Sequence, residues 1–229
     1  VFTCGLPAPT PARVRRAGKT MPIPPKTKSK RTRLSGPARR AQIIEAAATL
    51  FSKEGFSGTT TREVARRPGV SEAAVFKYFA TKKELYAAII ETKRQTRAIL
   101  DVAIPVAGER DDARLLTTLA REMIARTQAD PTLMRLLFFS ALEGHSLSDL
   151  FFRSQLKSVD LFLSGYIADR VAAGVFRPVE PIQAAWNFIG MVAHHLLLRE
   201  LFRQELPPHL TVDRVVDEMV TLFLRGVRV

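Results

Sequence analysis

One cysteine, Cys4, stands in 229 residues, which excludes an intramolecular disulfide and any cysteine-ligated metal cluster. Long hydrophobic runs are missing as well. The most apolar stretch, residues 182–198, is interrupted by Gln183, Asn187, His194 and His195 and falls short of the roughly 18 residues that a membrane span requires. The chain lacks a phosphate-binding loop, a dinucleotide fingerprint and a His-Glu-x-x-His pair. Gly55-Phe56-Ser57-Gly58 begins like a nucleophile elbow, but Thr59 stands where the second glycine belongs. Histidine is scarce: His194 and His195 are adjacent and so point about 100° apart on a helix, and His145 and His209 add no ligand spacing. These gaps argue against an enzyme, a metal site and a cofactor, and leave the histidines as polar groups of an interface or a cavity wall.

Acidic residues are absent before Glu45, whereas eleven of the 35 basic residues precede Ala41. The net charge of +13 therefore belongs to the first forty residues, and the rest of the chain is close to neutral. That segment also holds Pro7, Pro9, Pro11, Pro22, Pro24 and Pro25 without apolar periodicity, so residues 1–37 are predicted to be a disordered basic arm. Its prolines interrupt the amphipathic helix that an organellar transit signal needs, and it has no secretory apolar region. A cytoplasmic protein is expected. Val1 is compatible with a GTG start and Met21 offers another, so the length of the arm is open.

Beyond the arm, 46% hydrophobic content is ample for a packed core. Apolar residues recur at helical steps, with proline and glycine as punctuation and no strand alternation. The pattern predicts an all-α chain with a first helix over 42–53. Two short helices follow, and then further helices over 82–104, 113–129, 132–142, 148–173, 182–202 and 212–224, nine in all. Pro105, Pro131, Pro178, Pro181, Pro207 and Pro208 fall between these helices or in their first turns.

The most patterned segment is 60–82. Thr60 with Glu63, and Thr81 with Glu84, have capping-box spacing, and Ser71 followed by Glu72 supplies an N-cap and a first-turn acid. Val64 and Ala65 form the inner face of one short helix, Gly69 the turn, and Val70, Val75 and Phe79 the inner face of the next. This is the spacing of a helix-turn-helix, whose second helix lies in the major groove of DNA. Glu72, Ala73, Lys77 and Tyr78 fall on the face left over. Pro68 is expected to disfavour α conformation at Arg67, to end the first short helix early and to tilt the second.

These residues resemble the tetracycline-repressor (TetR) family of bacterial regulators. The resemblance covers residues 38–91: the Ala-Ala-x-x-Leu-Phe core of the first helix, the Glu54-Gly55-Phe56 stop, the Thr-rich cap, Gly69-Val70-Ser71, Val75-Phe76-Lys77-Tyr78-Phe79 and Thr81-Lys82. It implies nine or ten helices: a three-helix DNA-binding domain over 38–84, then a helical effector-binding and dimerisation domain over 85–229. The implied DNA contacts are Thr61, Arg62, Ser71, Ala73, Ala74, Lys77, Tyr78 and Lys82. Ala73 and Ala74 reach at most a thymine methyl, so base reading falls to Lys77, Arg62 and the arm, with Tyr78 and Lys82 as phosphate anchors. The arm reads either as a solubilising leader or as a cation that tracks phosphates or enters the minor groove.

The resemblance further implies a homodimer built on the last two helices, whose stripes are Ile182, Ala185, Trp186, Ile189, Val192, Ala193, Leu196 and Leu197, and Val212, Val215, Val216, Met219, Val220, Phe223 and Leu224. Core packing within one subunit is the alternative use of both stripes. Met123, Met134, Leu137, Phe138, Phe139, Leu142, Phe151, Phe152, Leu161, Phe162 and Tyr166 are the corresponding wall of an apolar or aromatic effector cavity. The expected function is a dimeric repressor of a palindromic operator, released by a small apolar molecule. The competing reading is a sequence-indifferent nucleic-acid binder driven by the arm.

Overall fold

The computed structural model describes residues 34–93, 96–144 and 157–229. Residues 1–33, 94–95 and 145–156 lie outside the description, and with them most of the expected arm, Cys4, His145, Phe151, Phe152 and the first turns of the expected 148–173 helix. The described residues form ten α-helices, with an isolated bridge between Phe176 and Arg228 as the one extended pairing among them.

The first four helices enclose one core. Helix α1 (Gly36–Gly58) starts at Ser35, whose hydroxyl accepts the Ala38 N–H at 3.4 Å, with Pro37 in the first turn. It therefore begins inside the segment assigned to the arm and runs past the predicted 53. Ile43, Ile44, Ala47 and Phe51 repeat at three- and four-residue steps and are buried. Against them pack Val64 and Ala65 of α2 (Thr61–Arg66), Val75 of α3 (Glu72–Tyr78), and Leu85, Tyr86 and Ile89 of α4 (Lys82–Thr92).

Leu133 and Leu136 complete this core, and both belong to α7 (Thr132–Leu142). The Tyr86 hydroxyl donates to the Leu136 carbonyl at 3.0 Å, and burial pushes its pKa up to about 12. A helix from the second half of the sequence thus finishes the core of the first.

The predicted 82–104 helix is two helices. Lys93 leaves helical geometry at φ −89°, ψ 7°, and α5 (Thr96–Gly108) starts anew. At this point the ammonium of Lys93 lies 3.0 Å from both Glu45 of α1 and Asp130 at the end of α6 (Asp112–Ala129). Burial lowers the pKa of Lys93, and hydrogen bonds to Asp130 and Glu45 outweigh it, leaving the net shift upward. Pro105 lies inside α5 rather than between helices. It withdraws the N–H that would reach the Asp101 carbonyl, which is tolerable with less than one turn remaining.

The second core joins α5, α6, α8 (Lys157–Ala172), α9 (Pro181–Leu196) and α10 (Val212–Val227). At its edge the Asp112 carboxylate, 3% exposed, accepts from the Tyr166 hydroxyl at 2.7 Å and from Arg170 Nη2 at 3.1 Å. Arg170 Nε sits 2.8 Å from its other oxygen without hydrogen-bond alignment, and Arg228 Nη2 closes from 3.5 Å. The expected 182–202 helix is α9 followed by a π-turn over Leu197–Leu201, where the Phe202 N–H reaches back five residues to Leu197. Of the two stripes assigned to a partner, Ala185, Val192, Leu196, Val216, Val220, Phe223 and Leu224 are buried within the protomer. Trp186, at 47% exposure, and Ala193 of the first stripe face away from that core. What stays open is a cleft of about 540 Å³ between α9 and α10, lined by Gln183, Asn187, Met191, Leu222 and Gly226 among others.

Candidate nucleic-acid interface

Two short helices joined by the five residues 67–71 stand or fall with their caps, because each has too few internal hydrogen bonds to persist alone. Thr60 and Glu63 form the full reciprocal box: the Glu63 N–H donates to the Thr60 hydroxyl at 3.2 Å and the Thr60 N–H donates to the Glu63 carboxylate at 2.8 Å. The Thr60 N–H foremost, and then the Thr60 hydroxyl, which also donates to the Glu63 carboxylate at 2.8 Å, lower the Glu63 pKa. Ser71 caps α3 by accepting the Ala74 N–H at 3.1 Å. The second expected box is shifted: the Thr81 hydroxyl accepts the Glu84 N–H, but the Glu84 carboxylate returns to the N–H of Ala80.

Between the helices Gly69 takes φ +67°, and the Val70 N–H bonds to the Ala65 carbonyl at 3.0 Å, closing the end of α2. Pro68 does not displace Arg67, which stays helical at φ −63°, ψ −50°. The preference before proline is soft enough for the turn to override it, since the Gly69 and Val70 N–H groups take over the end of the helix. Arg39 Nη1 reaches the Pro68 carbonyl at 3.5 Å, and the Arg40 guanidinium lies 4.9 Å from the Phe79 ring centre. Two of the eleven cations in the first forty residues thus belong to the packed head.

The expected contact residues lie on α2, on α3, in the turn between them and at the start of α4, with different exposures. Arg62, Ser71, Ala73 and Lys77 are exposed; Thr61, Ala74 and Tyr78 are half-buried. The Thr61 hydroxyl donates to the Glu72 carboxylate, tying the first residue of α2 to the first of α3. Lys82 is half-buried with Nζ 4.4 Å from the Phe56 ring centre, and burial lowers its pKa against the opposing charges of Glu143 and Glu63. Phe76, absent from the sequence-derived set, projects from α3 with 45% of its surface exposed. Its signal was present in the sequence, three residues after Ala73 and one after inward-facing Val75.

The described residues assigned to an effector wall differ in their packing and exposure. Met123, Met134 and Phe162 pack against the second core and Leu137 against the first, while Leu142 and Leu161 are exposed. The Tyr166 hydroxyl is taken by Asp112. His194 is exposed and His195 buried, as adjacency on a helix requires, and His195 Nε2 has no hydrogen-bond partner. Burial, then the charges of Arg199 and His194, lower the His195 pKa. Among the described residues no group of three His, Cys, Asp or Glu side chains is placed to hold a metal ion.

Residues 43–89 match the model of the tetR family of bacterial regulatory proteins, and residues 114–226 match that of the C-terminal domain of AefR-like transcriptional repressors. The chain is 31% identical over 211 residues to the HTH-type transcriptional regulator RutR of Escherichia coli, covering 89% of this chain and 96% of that protein. A TetR-family regulator from Mesorhizobium loti superposes with a TM-score of 0.62 at 21% identity, over 86% of this chain and all of the other. AibR, solved with isovaleryl coenzyme A and operator DNA, superposes with a TM-score of 0.61 at 22% identity over 80% of this chain and 97% of its own.

Proposed function

Because this chain belongs to the TetR family of bacterial regulatory proteins, whose members are DNA-binding transcription regulators and not enzymes, we propose that it is a dimeric repressor of a palindromic operator, released by a small, largely apolar effector. The observation that carries the reading is the capped α2–turn–α3 unit, which buries Val64, Ala65 and Val75 and leaves Arg62, Ala73 and Lys77 on a common outer surface. A helix so held enters the major groove with its first residues at the base edges.

In this reading Thr61 and Ser71 hold phosphates with the exposed N-termini of α2 and α3, and Arg62 reaches a base edge. Lys77 reads a base edge, Ala73 and Ala74 face the groove floor, and Tyr78 and Lys82 anchor the flanking backbone. A second copy supplies the other half-site by closing the cleft between α9 and α10, where Leu222 is 61% exposed. The effector acts through α7: this helix shares a core with the DNA-binding unit, so a ligand that prefers one position of α7 changes the population of operator-competent heads. None of the described helices is long and apolar enough to cross a membrane, in keeping with action in the cytoplasm.

Selection of bound duplexes from random DNA by the full chain tests the proposal. An inverted repeat with half-sites about one helical turn apart or slightly more is the expected product. Binding that collapses with salt and enriches no motif would replace it with electrostatic coating of DNA.

A further inference from the structure

Helix α7 lies along α1 and is tied to it at both ends. At its start Asp130 accepts the Thr132 N–H at 3.1 Å and holds the Lys93 ammonium at 3.0 Å, and the same ammonium meets Glu45 of α1. At its end the two carboxylate oxygens of Glu143 each accept the Ser57 N–H at 3.2 Å. Along a helix, Glu45 and Ser57 are about 18 Å apart and Asp130 and Glu143 about 20 Å. The order is the same in both pairs, so the two helices run parallel with matched spans. Between the ties Leu133 and Leu136 enter the core of the DNA-binding head, and Tyr86 donates to the Leu136 carbonyl. One tie would leave α7 free to pivot; two ties and a shared core fix it against the head.

Other residues of α7 connect to the second core. Met134 packs against it, and Arg135 Nη2 donates at 3.0 Å to the Glu200 carbonyl in the π-turn that closes α9. The last carbonyls of a helix lack intrahelical donors, and the helix dipole favours a cation at that end. The Phe202 and Gln204 N–H groups serve Leu197 and Leu198 there, and Arg135 serves Glu200.

We propose that Arg135 and Glu143 are positioning residues for operator spacing: through α7 they fix the angle between the head and α9, and so the separation at which the two heads of a dimer present their recognition helices. The inference rests on the dimeric DNA-binding reading above and adds what sets the half-site distance. A second copy joined along α9 and α10 holds those helices in place, so looseness in α7 emerges at the heads as a change of spacing. One base pair added between half-sites moves them about 3.4 Å apart and turns them about 35° around the duplex. A rigid clamp passes that mismatch to the DNA as bending and twisting energy, whereas a loose one absorbs it in the protein. Neither residue lies on α2 or α3, so base preference within a half-site is left alone.

The test uses the full-length protein and its selected operator, with the spacer between half-sites shortened or lengthened by one base pair. Wild-type protein should lose at least about tenfold in affinity for either change. Arg135→Met and Glu143→Ala should each cut that penalty to about threefold, the equivalent of one hydrogen bond lost from the clamp, and should enrich a mixture of spacer lengths on reselection. Arg135→Lys keeps a donor, and the amide oxygen of Glu143→Gln still accepts the Ser57 N–H, so both should restore part of the discrimination. A variant that is merely less stable binds every spacer more weakly by the same factor, so the ratio between spacers separates positioning from folding. Where Arg135→Met or Glu143→Ala folds poorly, the conservative pair decides, with a penalty below the wild-type value expected.

The wild-type series needs no variant: equal affinity for all spacers overturns the inference. Spacer ratios that stay at the wild-type value in the folded variants overturn it as well, and in both cases the regulator reading stands. If selection enriches no inverted repeat at all, the regulator reading falls and the inference with it.

Discussion

Gly55 joins the two helical parts of α1 at φ +76° and ψ 175°, a conformation essentially closed to residues with a Cβ. The site is crowded as well. A Cβ built there would stand 2.3 Å from Glu143 Oε1 and 3.1 Å from Phe139 Cδ1, both on or just after α7. The same Glu143 carboxylate accepts the Ser57 N–H at 3.2 Å through each oxygen. Gly55→Ala therefore acts in two ways: backbone strain of about 1–3 kcal/mol, and displacement of a mostly exposed carboxylate bond contributing about 0.5–1 kcal/mol. Together these reach about 3 kcal/mol, which for a chain of this size lowers Tm by about 6–12 °C. Thermal unfolding followed by circular dichroism measures it. Glu143→Ala alone should cost the Ser57 bond, and in the Gly55→Ala background it should cost little more, because that bond is already displaced and only the backbone strain remains. A Gly55→Ala protein melting within about 2 °C of wild type would refute the argument, because neither the left-handed conformation nor the close approach of α7 would then be enforced.

Removing the Asp112 carboxylate with Asp112→Ala leaves Arg170 partly buried without its counter-charge, and a loss of about 3 kcal/mol is expected in urea unfolding; Arg228→Ala, at the exposed end of the cluster, should cost far less. Thr60→Ala removes one arm of the capping box and should destabilise by about 1 kcal/mol, with operator affinity falling as α2 frays. For His195 the folded pKa lies below the ordinary 6.5, so the unfolded chain takes up the proton first as pH falls. Stability is indifferent to this group above about pH 6.5 and declines below it; a His195→Leu protein should show a shallower decline between about pH 6.5 and 5.5, and an unchanged slope would overturn the assignment. Lys77→Ala should weaken operator binding by about 1–3 kcal/mol, measured by titration of labelled duplex at fixed salt, with reduced discrimination at one base if Lys77 reads an edge.

Local grammar carried far into this fold. Ser71, Thr60 with Glu63, and Gly69 act on neighbours within a few residues, so the helix-turn-helix was legible at the level of individual bonds. Helix limits depending on distant residues were not. The break after α4 coincides with Lys93 meeting Glu45 and Asp130, which lie 48 and 37 positions away in sequence. Periodicity also identifies an apolar face without saying what covers it. The stripes of α9 and α10 have the same spacing whether they meet a second copy or, as Val192 and Val216 do, their own core. Phe76 was overlooked because an aromatic beside inward-facing Val75 reads as more of the same packing, and only the rotation of α3 separates the two.

The contribution of Leu133 and Leu136 to the first core bears on how this protein can be re-engineered. Regulators are commonly imagined as interchangeable readers and sensors, to be recombined by cutting the chain after the fourth helix. Here such a cut strips two leucines and the acceptor of the Tyr86 hydroxyl from the reader, opening its core beside Tyr86 to water. A chimera that transplants the reader therefore has to bring α7 with it, or rebuild the apolar surface that α7 covers.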